Sequence, residues 1–194
     1  MIILGIDPGS NTTGYAFLEK NGSAGSAISG NLRVLKYGAI CADKTDAPED
    51  RLVYIIQELE KLLEEYKPQA LSMEGAFYSK NVKSTLMLGQ IRGAILVACR
   101  RRGLTYNEYS PRSVKQAVTG DGAASKEQVA AMVSRLLNVE LKGPLDASDA
   151  LAIAYTHAAP PPISSLIPKP AKKKKTSTNA MRELILKMGG TLPK

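Results

Sequence analysis

The apolar run Ile2–Ile6 ends in an acidic residue, Asp7, and a Pro-Gly-Ser-Asn turn follows it directly. A short continuous run of aliphatic and β-branched residues is typical of a strand that is buried on both faces of a sheet. Two more strand patterns, TGYAFLE and LRVLKYGAI, lie on either side of a Gly- and Ser-rich segment that favours a hairpin connection. These patterns predict an antiparallel meander of three strands, the first of which lies inside the sheet.

Helix and strand patterns alternate after this meander. Residues 46–67 place apolar side chains at helical spacing, with Asp46 as the expected cap and Pro48 in the first turn. Short strands at QALSMEG and LTYNEYS are separated by a long apolar helix over 81–102. Three further helices are indicated by their starting segments, which are SPRS, SKEQ and PLDASDA. The order predicts an α/β fold with a mixed five-stranded sheet, in which parallel strands extend the meander and helices cover both faces.

The distribution of charge divides the chain near residue 160. The whole sequence carries a formal net charge of +8, but residues 160–194 hold eight basic residues and one acid, whereas residues 1–159 are almost neutral. The prolines and the run of four lysines in this tail are typical of a disordered linker. We therefore expect one folded domain over 1–159 and a disordered basic tail over 160–194, with a marginal short helix over 179–188.

Four acidic residues fall where this order of elements would bring them together. Asp7 and Glu74 each end a buried strand, and parallel neighbours place their carboxyl ends at the same edge of a sheet. Asp146 and Asp149 are three residues apart at the start of a helix, so they share one helical face. Taken singly, Asp7 could be a turn residue and Asp146 a helix cap. The joint arrangement is more specific than any one of its members.

Carboxylates that converge in this way repel one another by several kcal/mol unless cations or protons neutralise them. Carboxylate and water ligands suit Mg²⁺ or Mn²⁺, whereas the sequence has no His and Cys spacing that would hold zinc. Two such ions about 4 Å apart can activate a water molecule and stabilise a leaving oxygen in phosphodiester hydrolysis. The four acids therefore predict a two-metal site.

The sequence resembles the RuvC family of Holliday-junction resolvases, which are dimeric endonucleases with an RNase H-like fold. The resemblance covers about residues 2–158 and is carried by four segments: ILGIDPGSNTTGYA, MEGAFYSKNVKSTLMLGQIRGAI, EYSPRSVKQAVTGDGAASKEQV and LDASDALAIAYTH. The metal-binding acids of the family fall on the same four positions. The resemblance implies an endodeoxyribonuclease that depends on Mg²⁺, with Mn²⁺ able to substitute. It also implies that the enzyme resolves four-way DNA junctions by symmetric paired nicks in recombination and repair.

The resemblance also implies contacts with DNA. Phe77 matches an aromatic residue that follows the second acid in the family, and its expected role is to stack where bases are unpaired. Lys115 and Lys126 match basic positions near the cleaved phosphate, where a cation can stabilise developing charge. Three more basic residues are candidates for positioning the DNA backbone: Lys80, Lys83 and Arg112. The simpler roles are a core position for Phe77 and solvated helix charges for the basic residues.

Partners follow from the same resemblance. It implies a homodimer through the helix around Asn81–Arg102, where an apolar stripe around Leu86, Gln90 and Leu96 would suit a two-fold contact. It further implies coupling to the RuvA–RuvB branch-migration complex and a bacterial cytoplasmic location. We expect no membrane partner, because the sequence shows no apolar run close to the roughly 20 residues that a bilayer span needs.

Two other functions fit parts of the pattern. One is another RNase H-like nuclease, such as a YqgF-type protein acting on RNA, which should lack the Phe77–Lys80 segment. The other is an ATP-binding protein of the actin and sugar-kinase class, in which a Gly-Ile-Asp-x-Gly loop grips phosphate. That class needs a second similar domain with a phosphate loop of its own, and this sequence contains one such loop.

Overall fold

The structure is a computed structural model that describes residues 1–21, 32–75, 82–141 and 145–159. The chain divides into two units, Met1–Pro162 and Ile163–Lys194, and every described residue belongs to the first. Phe77, Lys80, the Gly- and Ser-rich segment 22–31 and the predicted tail lie outside the described residues.

Five strands form one mixed sheet in the order β3-β2-β1-β4-β5, which confirms the predicted architecture. The strands are β1 (Ile2–Asp7), β2 (Thr12–Lys20), β3 (Leu32–Cys41), β4 (Ala70–Glu74) and β5 (Thr105–Tyr109). The first three pair antiparallel, and β4 and β5 continue the sheet in parallel from β1. β1 therefore lies in the centre with a partner on each side, as its continuous apolar run predicts.

Helices cover both faces of this sheet. They are α1 (Pro48–Tyr66), α2 (Val82–Arg101), α3 (Pro111–Thr119), α4 (Lys126–Leu137) and α5 (Leu145–Ala158). Alternate side chains of a strand point to opposite faces, so Ile3 packs in the core beneath α3, α4 and α5, whereas Leu4 packs in the core beneath α1 and α2. The two cores pack against the sheet from both sides, and ligands of open α/β sheets usually bind at the carboxyl edge of such a sheet.

α1 begins one residue later than the sequence predicts, and the prediction that Asp46 caps it is wrong. The cap position is Ala47, whose side chain makes no capping bond, and Pro48 is the first helical residue. Asp46 instead lies in a turn that is held by Asp43, whose carboxylate accepts the backbone N–H of Thr45 at 2.9 Å. An Asx turn of this kind offers the backbone an alternative to the helical start.

α2 packs one stripe on the sheet and exposes another. Ile91, Ile95 and Cys99 are buried against the sheet. By length and composition α2 could cross a membrane, and it is the one helix with that property in the described part of the chain. A helix that packs on both sides in an assembly passes the same test, because both of its faces are apolar.

Of the three residues predicted on the exposed stripe of α2, Leu86 and Gln90 are exposed and Leu96 is not. Val82, Leu86 and Val97 are exposed by 71%, 65% and 57%. Leu96, which the sequence places on this stripe, is instead partly buried in the core beneath α1 and α2. Gly89 lies between the exposed residues at helical spacing, and a Cβ there would meet no atom within 4 Å. The stripe therefore carries three exposed apolar side chains, with no side chain at Gly89 between them.

Candidate active site

Asp7 and Glu74 are the last residues of β1 and β4. These strands pair in parallel, with Ile6 opposite Met73, so the two acids leave the sheet side by side at its carboxyl edge. Both side chains are half-buried. The fold therefore places these two acids side by side, as the sequence predicts.

Two glycines bring the other two acids to this edge. A Cβ on Gly14 would lie 2.0 Å from the backbone oxygen of Asp146, and a Cβ on Gly5 would lie 2.2 Å from that of Ala150. Glycine inside a strand often marks such a close approach of another backbone. Because Gly14 pairs with Asp7 across the sheet, the first turn of α5 sits directly over Asp7. Sequence reasoning missed this role of the glycines, although their place inside apolar strands was the available signal.

The charges of the four acids are coupled. Burial, followed by the charges of Asp149, Glu74 and Asp146, raises the pKa of Asp7 to about 7. The pKa of Glu74 is also raised, first by burial and then by Asp149, while Lys126 acts in the opposite direction. Burial disfavours the charged form of an acid, and so does a like charge nearby. The four carboxylates thus form one cluster that favours the arrival of positive charge.

The donor chemistry of the cluster fits a hard divalent cation. Carboxylate oxygens are the ligands that Mg²⁺ and Mn²⁺ accept, and mutual repulsion makes neutralisation by a cation favourable. As the side chains stand, no three His, Cys, Asp or Glu residues within the described ranges are grouped closely enough to ligate one ion. The Lys126 ammonium lies 3.0 Å from Asp149 Oδ2 and supplies positive charge to the cluster. The residue types therefore suit a metal ion, but the described side chains, as they stand, are not close enough for three of them to ligate one ion.

Two of the predicted basic residues lie beside the acids because helix caps place them there. Lys126 is the first residue of α4, and Ser125 and Gln128 form the predicted capping box that fixes this start. Lys115 lies in α3, whose start is fixed by Ser110 accepting the backbone N–H of Ser113 at 3.1 Å. Lys115 and Lys126 both act to lower the pKa of Glu74, so their charges reach the cluster.

The structure does not bring the other described basic candidates to the acids. Lys83 is exposed in the first turn of α2 and makes no hydrogen bond or ion pair with another described residue. Arg112 is exposed, and its Cγ lies 2.7 Å from where a Cβ on Gly122 would stand. Its side chain therefore lies over the loop between α3 and α4.

Arg92 is a positioning residue that the sequence did not reveal. Its Nη1 donates to the backbone oxygen of Glu74, and its Nη2 lies 3.3 Å from Glu108 Oε1. Its side chain is 14% exposed. Arg92 thus ties α2 to the ends of β4 and β5 and holds the backbone that carries Glu74. The residue lies on a long helix among other basic and apolar residues, so its target depends on tertiary packing.

The turn that follows Asp7 is held from two directions. Arg51 of α1 donates through Nη1 to Asn11 Oδ1, and the backbone N–H of Ala42 donates to the backbone oxygen of Asn11 at 2.8 Å. Thr13 Oγ1 also donates to the backbone oxygen of Gly9 at 3.1 Å. These bonds fix the path of the chain as it leaves the acid cluster.

Several known proteins that resemble this chain belong to one nuclease family. The family model described as crossover junction endodeoxyribonuclease RuvC matches residues 3–157. RuvC of Chloroherpeton thalassium is 51% identical over 156 residues, which cover 79% of this chain and 80% of that protein. RuvC of Aliarcobacter butzleri is 46% identical over 160 residues, with 81% and 98% covered. The structure of Thermus thermophilus RuvC in complex with Holliday junction substrate gives a TM-score of 0.74 at 32% identity, with 82% and 93% covered.

Proposed function

The chain belongs to the RuvC family of crossover junction endodeoxyribonucleases, and on that basis we propose that it resolves four-way DNA junctions by paired nicks in recombination and repair. The observation that carries the proposal is the cluster of four carboxylates at the carboxyl edge of the sheet, with Asp7 at its centre. The match of residues 3–157 to the RuvC family model does not favour the ATP-binding alternative.

The family consists of metal-dependent nucleases, and we propose that this chain uses two Mg²⁺ ions, for which Mn²⁺ can substitute. The ligands in the proposal are the four acids Asp7, Glu74, Asp146 and Asp149. A bound divalent ion supplies an acidified water and stabilises charge on phosphate oxygens. The raised pKa of Asp7 supports the proposal, because an acid that is costly to ionise alone gains most from a nearby cation.

The chain's own residues bind and orient the phosphate. The ammonium of Lys126 is held beside Asp149, where it can donate to a phosphate oxygen that enters the cluster. Lys115 provides a second positive charge on the Glu74 side. Arg92 and the bonded turn after Asp7 keep the backbones of the acids in place, so that little reorganisation is needed when substrate binds. In the proposal Phe77 stacks on an unpaired base, while Lys80, Lys83 and Arg112 contact the DNA backbone.

The proposed activity is tested with a synthetic four-way DNA junction in the presence of Mg²⁺. We expect paired nicks near the junction at a rate at least about 100-fold above that on a linear duplex of the same sequence, because the substrate must place a strand across the acid cluster. A structured RNA of similar size serves as the substrate of the RNA nuclease alternative. Equal rates on junction and linear duplex, or faster cleavage of the RNA, would contradict the proposal.

We propose that the exposed stripe of α2 forms the homodimer. Burial of apolar side chains that are more than half exposed favours association, and the open surface over Gly89 lets a second helix approach closely. A two-fold axis through this stripe would relate two active sites, which suits a substrate with near two-fold symmetry.

Replacing Leu86 with Glu is expected to turn the dimer into a monomer at micromolar concentration, because each copy would place a charge in an apolar contact. Sedimentation velocity measures the change, and cleavage gels should show single nicks in place of paired ones. Val53→Glu is the matched control, since Val53 is 53% exposed on α1, outside this stripe. An unchanged dimer in Leu86→Glu would refute this interface.

Of the remaining proposals, the coupling to RuvA–RuvB and the cytoplasmic location rest on family membership alone. We propose that residues 1–159 form the nuclease domain and that the tail over 160–194 is a basic arm that binds DNA or a protein partner. We also propose that the enzyme couples to RuvA–RuvB and acts in the bacterial cytoplasm. The eight basic residues of the tail support an electrostatic role on DNA, which would appear as a weaker salt dependence of binding when the tail is removed.

A further inference from the structure

One lysine is in direct contact with the acid cluster. The ammonium of Lys126 lies 3.0 Å from Asp149 Oδ2, and among the described residues this is the one ion pair that any of the four acids makes. The hydrogen bond and the charge of Asp149, followed by the charges of Asp7 and Glu74, raise the pKa of Lys126. The function proposed above assigns Lys126 to the phosphate, and it leaves this contact with a proposed metal ligand without a role.

The contact is of a kind that a divalent ion would disrupt. A lysine ammonium is a compact positive charge, and the carboxylate oxygens of Asp149 are the type of ligand that Mg²⁺ takes. Two cations beside one carboxylate repel each other. Lys126 and a metal ion would therefore compete for Asp149.

The exposure of the two side chains allows Lys126 to leave. The side chain of Lys126 is 66% exposed, whereas that of Asp149 is 23% exposed. The start of α4 is fixed by Ser125 and Gln128, so it does not depend on the ammonium of Lys126. An ion pair with an exposed member is weak. The ammonium can thus move from Asp149 to a neighbouring phosphate oxygen without disturbing the packed core.

We propose that Lys126 is a stand-in cation, which neutralises part of the acid cluster at Asp149 until a metal ion binds and then turns to the substrate phosphate. The inference rests on the proposed nuclease function and extends it, because binding of the metal ion and binding of the phosphate then share one lysine. In the free enzyme Lys126 opposes the metal ion, and in the complex with DNA it binds the phosphate.

Binding of Mg²⁺ to the free protein, measured by isothermal titration calorimetry without DNA, tests this role. Lys126→Met keeps most of the stem of the side chain and removes its charge. We expect this variant to bind Mg²⁺ at least about fivefold more tightly than the wild type, because a positive charge close to the ion is gone. Lys126→Arg keeps the charge and should stay close to the wild type. Unchanged or weaker binding of Mg²⁺ by Lys126→Met overturns the proposal.

Lys115→Met is the matched control for the effect of charge without contact. Lys115 lowers the pKa of Glu74, as Lys126 does, but within the described part of the chain it makes no ion pair with the four acids. Its loss should therefore tighten Mg²⁺ binding less than the loss of Lys126. Equal tightening in both variants overturns the proposal, and normal junction cleavage by the wild type then leaves the proposed function standing. Failure of the wild type to cleave any junction at saturating Mg²⁺ would instead contradict the proposed function.

Thermal unfolding gives a second readout that does not depend on activity. In EDTA, Lys126→Met should unfold at a lower temperature than the wild type, because the acids lose a neutralising charge. Saturating Mg²⁺ should raise the unfolding midpoint of the variant more than that of the wild type, since the variant binds the ion more tightly. A variant that matches the wild type in EDTA and gains the same stability from Mg²⁺ would contradict the stand-in role.

Discussion

Replacing Asp7 with Asn is expected to lower the rate of junction cleavage by about 1,000-fold or more while the junction is still bound. A metal ion contributes several kcal/mol of charge stabilisation in the transition state, and each ~1.4 kcal/mol corresponds to a factor of ten in rate. Asn has almost the shape of Asp but no negative charge, so it leaves the fold intact and weakens the hold on the cation. Single-turnover kinetics with Mg²⁺ measure the cleavage rate, and a gel shift with Mg²⁺ measures binding of the junction.

The same variant should gain stability in EDTA. Burial and three neighbouring acids raise the pKa of Asp7 to about 7, so ionising this carboxylate is less favourable in the folded chain than in the unfolded one. Above pH 7, removal of the charge therefore raises the midpoint of thermal unfolding, and added Mg²⁺ should stabilise the wild type more than the variant. Glu64→Gln is the isosteric control, because Glu64 is 77% exposed near the far end of α1. Undiminished cleavage in Asp7→Asn would exclude Asp7 as a metal ligand.

Replacing Gly14 with Ala is expected to damage both stability and activity. The new Cβ would lie 2.0 Å from the backbone oxygen of Asp146, a distance that forces α5 away from the sheet. Overpacking of this kind typically costs about 1–3 kcal/mol in the free energy of unfolding. Since a 1 Å displacement of a catalytic group can cost about 100-fold in rate, cleavage should fall by a similar factor even where the variant is fully folded.

Chemical unfolding and cleavage are measured on the same preparations to check this. Gly38→Ala is the matched control, since Gly38 lies on the neighbouring strand β3 and the atom nearest to its Cβ would be the hydroxyl of Tyr15, at 2.8 Å. The end of a side chain can shift more readily than a helix backbone, so this control should keep more of its activity than Gly14→Ala. Equal behaviour of the two variants would contradict the close docking of α5 on β2.

The sequence predicts the order of the elements and the place of the acids well, because both depend on local patterns. Alternating and helical periodicity set the strands and helices, and the capping box at Ser125 is a local signal that the fold keeps. Asp7 and Glu74 could be paired because each ends a strand and parallel neighbours share an edge. Family resemblance added Lys115 and Lys126, whose role no spacing could have specified.

The features that the sequence did not reveal all depend on contacts between distant parts of the chain. Arg92 holds the backbone of Glu74, and Gly14 lies beneath Asp146, so each is meaningful only after the helix and the sheet are docked. The stripe predicted on α2 is correct at Leu86, but Val97 is exposed where Leu96 is predicted, an error of one position. Such an error arises because the sequence of a helix with two apolar stripes does not indicate how the helix is rotated about its axis against the sheet.

The dependence of the acid cluster on α5 has a consequence for how the enzyme is made. Asp7 emerges early from the ribosome, whereas Asp149 is synthesised 142 residues later and reaches the cluster only when α5 docks over Gly5 and Gly14. Contacts between such distant residues form late in folding. A nascent or truncated chain that carries only β1 and β4 therefore holds only two of the four proposed metal-binding acids. If the proposed ligand set is correct, cutting would therefore require the last helix of the domain to be docked on the sheet.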